Sequence, residues 1–170
     1  MKKLGILVIA LCGAMSVSAQ KFAVVDMEYI MKNIPAYETA NEQLSQASTR
    51  WQREVETRMQ EVQTLYKNYQ TELVFLSDEM KVRRENEIVE KEKAAQELKR
   101  SYFGPEGELF KKRESLMQPI QDEVYNAVKS ISEEKQYQLI IDKASAMDII
   151  YVSSRIDISD EVLSKLGYSR

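Results

Sequence analysis

Glu54 with Glu56 and Glu85 with Glu87 are carboxylate pairs whose type and spacing could divide general acid and general base roles between them. Residues two apart on a helix do not face each other, so neither pair converges, and on a solvated face nothing desolvates them to move a pKa. The rest of the catalytic repertoire is thin. With no histidine there is no Ser-His or Cys-His nucleophile pair, no side chain whose unperturbed pKa lies near neutrality and no imidazole ligand. The single cysteine, Cys12, lies in an N-terminal apolar run, which leaves oxygen ligands for any metal site. Neither an alternating Asp/Asn calcium loop nor a Gly-rich phosphate loop occurs. Together these features argue against an enzyme, a metal centre and a bound cofactor.

What remains must be positioned by the elements of the chain, and the first twenty residues belong to export. Lys2 and Lys3 form a basic start, Leu4 to Met15 an apolar run, and Val17-Ser18-Ala19 a small-residue cleavage site, so residues 1–19 read as a signal peptide. The run is too short to span a bilayer, which takes about 20 residues. Leu11 occupies the place before Cys12 where a lipoprotein signal carries a small residue. The expected product is a soluble exported protein without cysteine or disulfide, and loss of Lys2 and Lys3 takes the formal charge from −3 to −5. That negative balance and the absence of a basic stripe argue against nucleic acid as a partner.

Residues 36–103 contain neither Gly nor Pro. Leu44, Ala47, Trp51, Val55, Met59, Val62, Tyr66, Tyr69, Leu73 and Leu76 advance from 44 to 76 in nine steps, an average spacing between the coiled-coil and straight-helix periods of about 3.5 and 3.6. The stripe is one narrow seam, and Arg50, Arg53, Glu54, Arg58 and Glu61 occupy the other faces. A second stripe of Leu98, Tyr102, Leu109, Phe110, Leu116, Met117, Ile120, Val124, Val128 and Ile131 supplies an antiparallel partner. Legs of comparable length require reversal near residue 77, where Ser77 is a good N-cap followed by Asp78 and Glu79 in the first turn. Gly104-Pro105-Glu106-Gly107 then interrupts the returning leg, and Pro119 predicts a kink or a local 3₁₀ turn. The hairpin is thus expected over 36–136, with its reversal near 77 and a break at 104–107.

Residues 20–35 and 137–170 read as a β body. Phe22-Ala23-Val24-Val25 is a buried-strand pattern, Asp26 caps a brief helix that Pro35 ends, and Gln138-Leu139-Ile140-Ile141-Asp142 and Ile149-Ile150-Tyr151-Val152 suggest a β-hairpin joined by Lys143 to Asp148. Ser159 is the expected cap of a terminal helix that stops at Gly167. This body holds 50 residues, close to the size below which domains seldom fold unaided. Self-association is the expected remedy, with Phe22, Val24, Val25, Leu139, Ile140, Ile141, Ile149, Ile150 and Val152 as candidates for a shared core. The fold class is therefore α+β and mostly α, a small β body with a long antiparallel helical hairpin.

Two clusters near the reversal bear on partners. Tyr66, Tyr69, Phe75, Leu76 and Met80 crowd the last turns, where two helices can bury little; whatever part they leave exposed suits weak, adaptable binding of apolar segments. Lys81, Arg83 and Arg84 are the tight basic group, answered by Asp78, Glu79, Glu85 and Glu87. They read as a mixed-charge solvated face, with a weak anionic-lipid contact as the other reading.

The leader, the Phe22-to-Asp26 strand, the charged hairpin, Gln138-Leu139-Ile140-Ile141-Asp142 and the closing Asp157-Ile158-Ser159-Asp160-Glu161-Val162-Leu163 together resemble the Skp/OmpH family of periplasmic chaperones. The resemblance implies a homotrimer whose strands share one β body and whose helical hairpins project as tentacles around a cavity. There, unfolded outer-membrane proteins would be held without ATP, with the tyrosine, phenylalanine and methionine cluster as candidate client contacts. The acidic balance and the 104–107 break depart from the family pattern. A structural or adaptor coiled coil of the envelope, binding folded partners, is the alternative from another class.

Overall fold

The structure, a computed structural model, describes residues 21–168; the signal-peptide expectation for residues 1–19 lies outside them. In chain order the elements are strand β1 (Phe22–Val25), helix α1 (Met27–Lys32), helix α2 (Pro35–Glu72), a 3₁₀ turn (Leu73–Phe75), helix α3 (Asp78–Phe103), helix α4 (Glu108–Lys135), strand β2 (Leu139–Asp142) and helix α5 (Ser159–Lys165). The fold is mostly helical, with a long helical hairpin and a small sheet. Of the described residues, 21–30 together with 125–168 form one compact unit, which takes in the end of α4, and Met31–Val124 form the other.

In the first unit β1 and β2 pair in parallel, with Phe22 opposite Leu139 and Val25 opposite Asp142. On its other edge β1 meets the C-terminal segment: the Val24 amide donates to the Ile156 carbonyl at 2.8 Å, and the Ile158 amide donates to the Val24 carbonyl at 2.9 Å. Ala23, Val24, Val25 and Ile30 are buried with Ala127, Ile131, Ile158, Val162 and Leu163. Each fully buried Val, Ile or Leu contributes about 1.5–3 kcal/mol relative to exposure. Burial of Ala127 and Ile131 explains why the end of α4 belongs to this unit.

Two expectations for this unit are corrected. Ile149–Val152 forms no strand; β2 pairs with the distant β1, and Asp142 turns the chain out of the sheet at once by accepting from the amides of Met27 (3.1 Å) and Ala144 (3.0 Å). Ser159 is the first residue of α5 and not its cap. The Asp157 carboxylate, two residues earlier, takes the amide of Ser159 at 3.0 Å and its hydroxyl at 2.6 Å, while the Ser159 hydroxyl accepts the Asp26 amide at 2.8 Å. At the other end Gly167 adopts φ +87°, and Tyr168 closes the helix by donating to the Leu163 carbonyl at 2.8 Å.

In the second unit Pro35 opens α2, where a missing N–H costs nothing, and 38 residues follow without interruption. α3 returns antiparallel to it: Tyr69 meets Glu85 near the turn, whereas Trp51 stacks on Tyr102 further back, with ring centroids 5.1 Å apart and planes 11° from parallel. At the 104–107 break Gly104 ends α3 with its amide on the Arg100 carbonyl, and the Gly107 amide donates to the Gly104 carbonyl at 3.0 Å. A side chain at 107 would lie 2.7 Å from the Tyr102 carbonyl oxygen, so the close approach of backbone requires glycine there. α4 runs unbroken through Pro119 with no 3₁₀ turn, contrary to one sequence expectation. The buried Ile120 and Val124 fix the turns that follow it, and only one intrahelical bond is forfeited.

Candidate functional surface

Burial along the hairpin is uneven. Ala40, Leu44, Ala47, Val55, Ala95, Ile120 and Val124 are buried, but from Glu56 to Ala94 no residue is. Two helices meeting along one narrow seam can cover little more than that seam, and here the distal seam itself is only partly covered, with Val62, Tyr69 and Leu76 half-buried.

The turn concentrates this exposure. α2 tightens into the 3₁₀ turn, Leu76 is extended, and the Ser77 hydroxyl accepts the Met80 amide at 3.3 Å to start α3. Val74 and Phe75 project with 86% and 87% of their surface in water, and Tyr66 and Met80 are also exposed. Tyr69 and Leu76 are half-buried. The Tyr69 hydroxyl donates to Glu85 at 2.5 Å, and that bond, with some desolvation, raises its pKa above the usual tyrosine value. Of the five apolar and aromatic residues singled out from sequence, the structure therefore exposes Tyr66, Phe75 and Met80. It adds Val74, Val82 and Val89, which the sequence reading missed, and Leu73, which that reading placed in the seam. The consecutive Leu73-Val74-Phe75 was the available signal, since three adjacent apolar residues cannot all face one seam.

The basic group is largely committed to its own neighbours. Lys81 pairs with Asp78 at 3.1 Å, and Arg84 reaches Glu87 at 3.1 Å and Glu72 at 3.8 Å.

Further back along α2 and α3, Val55, Met59 and Phe103 floor a groove of about 630 Å³ whose walls carry Gln52, Glu56, Gln60 and Lys99. On the opposite side of the helix pair Arg58 pairs with Glu61 at 3.3 Å, and Glu54 accepts from the Tyr102 hydroxyl at 2.9 Å. The bond to Glu54, with lesser desolvation, raises the Tyr102 pKa.

In the β body the shared-core candidates divide. Val24 and Val25 are buried within the chain; Ile140, Ile141, Ile149 and Val152 are half-buried; Phe22 and Leu139, paired in register, and Ile150 are exposed. Met147 and Tyr151 are exposed beside them in sequence. Lys143 ties three segments together, its ammonium lying 2.7 Å from Asp157 and 3.4 Å from Asp26. Burial opposes ionisation of Asp157, but the bonds from Lys143 and Ser159 outweigh it and hold the carboxyl below its usual range. The bond to Asp157 raises Lys143 in turn, against a smaller desolvation effect.

The long hairpin and parallel two-stranded sheet define an architecture, and comparison with known proteins places it. Residues 21–166 match the sequence profile of the OmpH-like outer membrane proteins, and the chain belongs to that family. A crystal structure from Caulobacter crescentus CB15, of a protein assigned as an OmpH-like outer membrane chaperone, superposes with a TM-score of 0.69 at 10% identity. The alignment covers 88% of this chain and 85% of that one. No curated protein matches the sequence. Among the described residues no helix is long and apolar enough to cross a membrane.

Proposed function

We propose that this protein is a periplasmic holdase chaperone, exported by cleavage of residues 1–19, that binds unfolded outer-membrane proteins without ATP and keeps them from aggregating. The observation that carries the proposal is the hairpin from Glu56 to Ala94, which buries no residue and ends in the exposed Leu73, Val74 and Phe75. A helical hairpin that served only as a spacer would gain nothing from apolar side chains left in water. Exposed clusters of this kind mark binding surfaces. Membership of the OmpH-like family and the chaperone assignment of the Caulobacter protein support the same reading.

An unfolded β-barrel chain exposes apolar strands and unpaired edges that template aggregation. Each contact with the hairpin is weak, so it forms and releases quickly, and several hairpins acting together retain the client by avidity. Capture rests on apolar contact more than on charge, because the overall balance is acidic and Lys81 and Arg84 of the basic cluster at the turn are paired with neighbouring carboxylates. An anionic-lipid contact would be secondary for the same reason.

The proposal includes a homotrimer. Exposed Phe22, Leu139, Ile150 and Tyr151, an outer edge of β2 that no strand among the described residues pairs with, and a body of marginal size all favour pooling strands between copies. Ile149–Val152, which pairs in no strand among the described residues, has the β-branched and aromatic composition to add to a sheet edge.

The test is light scattering from an unfolded porin diluted out of denaturant with the mature protein present. Suppression at roughly one trimer per client, without nucleotide, is expected. Undiminished aggregation at several-fold excess would contradict the proposal.

A further inference from the structure

We infer that Met59 and Met80 are oxidation sites through which a peroxide reversibly lowers the capacity of the hairpin to hold unfolded chains. The inference rests on the chaperone reading above and concerns its regulation.

Of the eight methionines in the sequence, Met1 and Met15 fall within residues 1–19, as does Cys12, the single cysteine. Export therefore leaves a chain without a thiol in an oxidising compartment. Its readiest two-electron reductants are the thioethers of Met27, Met31, Met59, Met80, Met117 and Met147. Exposure sorts them. Met31 keeps 8% of its surface in water, and Met27 and Met117 are half-buried. Met59 and Met80 keep 42% and 51%, and Met147, in the β body, is fully exposed. Of the six, Met59 and Met80 alone lie between Glu56 and Ala94, the stretch in which no residue is buried.

Both stand within apolar surface. Met59 shares the floor of the groove with Val55 and Phe103, and Met80 occupies the first turn of α3, five residues after the exposed Phe75. An unbranched, polarisable side chain adapts to apolar partners of many shapes, which suits a surface that takes varied segments.

The reaction is one oxygen transfer. The thioether sulfur attacks a peroxide oxygen, and an S–O bond forms as the O–O bond breaks. The departing hydroxide takes the proton from the transferred oxygen and leaves as water, so sulfur is oxidised by two electrons and the peroxide reduced by two. The sulfoxide oxygen is a strong acceptor that must give up water to meet an apolar segment, where it finds no donor. Client contact is weakened, while the covered half of the hairpin, packed through Leu44, Ala47 and Ile120, is untouched. Exposure that admits a peroxide also admits a sulfoxide reductase, so the change can be undone.

The experiment treats the full mature protein with hydrogen peroxide and follows each methionine by peptide mass. Met59 and Met80 should gain oxygen at least about tenfold faster than Met31. Suppression of porin aggregation should then fall about fivefold with helicity by circular dichroism unchanged, and return after treatment with sulfoxide reductases for both epimers. Met59→Leu with Met80→Leu keeps the apolar volume and leaves Met147 in place, so this double variant should suppress aggregation equally well before and after peroxide. Four results would each overturn the inference and leave the chaperone reading intact: oxidation of Met59 and Met80 no faster than of Met31, undiminished suppression by wild type oxidised at both, loss of helicity on oxidation, or an equal loss of suppression in the double variant. Absence of suppression by unoxidised wild type would instead remove the chaperone reading, and this control with it.

Discussion

Two halves of one hairpin, made from the same kinds of residue at the same helical spacing, are put to opposite uses. Near Leu44, Ala47 and Val55 the seam is dry, and Ala95, Ile120 and Val124 are buried in the returning stretch. Between Glu56 and Ala94 the stripe continues through Met59, Val62, Tyr66 and Tyr69, yet nothing along it is buried. Periodicity alone therefore does not distinguish a residue that stabilises a helix pair from one that is kept available. The difference lies in cover. Where neighbouring chain encloses the stripe, apolar area leaves water and contributes stability; where it does not, the same area is free for a partner.

The contrast predicts that stability and activity separate along the hairpin. At fixed protein concentration, Leu44→Ala should lower unfolding free energy by about 2–5 kcal/mol, read from thermal or urea unfolding, with client binding recovered wherever the fold persists. Gly107→Ala should cost about 1–3 kcal/mol, because the new methyl meets the Tyr102 and Ser101 carbonyls. A double-mutant cycle on Trp51→Ala and Tyr102→Ala should give a coupling of about 0.5–1.5 kcal/mol for the stacked rings, marking where the covered half ends. At the turn, Val74→Ser with Phe75→Ser should change stability by no more than about 0.5 kcal/mol while weakening suppression of porin aggregation several-fold. A large loss of stability from the turn pair would erase the distinction between the halves.

Much of the architecture was legible where its causes are local. Asp26 caps α1 by accepting the Tyr29 amide at 2.8 Å, Ser77 starts α3, and Gly167 ends α5, each from a residue type acting within a few positions of itself. What depends on distant partners was not. Ile149–Val152 has the composition of a strand, but β2 takes β1 as its neighbour from more than a hundred residues away, and no periodicity encodes that choice. Ser159 looked like a cap because it is a serine before an acidic turn, but Asp157 holds both its amide and its hydroxyl. The groove could not be seen at all: Met59 and Phe103 meet only through the register of α2 against α3, which the turn at 73–77 and the seam packing set together. Phe75 and Met80 were found as an apolar cluster, whereas Val74 was passed over because it falls off the stripe, and that is why it is exposed.

Hydrogen exchange measured by mass spectrometry on the mature protein, alone and with an unfolded porin, tests most directly whether the open half of the hairpin is the holding surface. Exchange should slow on client binding across residues 56–94, most at the turn and beside Met59, and change little around Leu44 and Ala47. Slowing confined to the covered half or to the β body, with 56–94 unaffected, would contradict it.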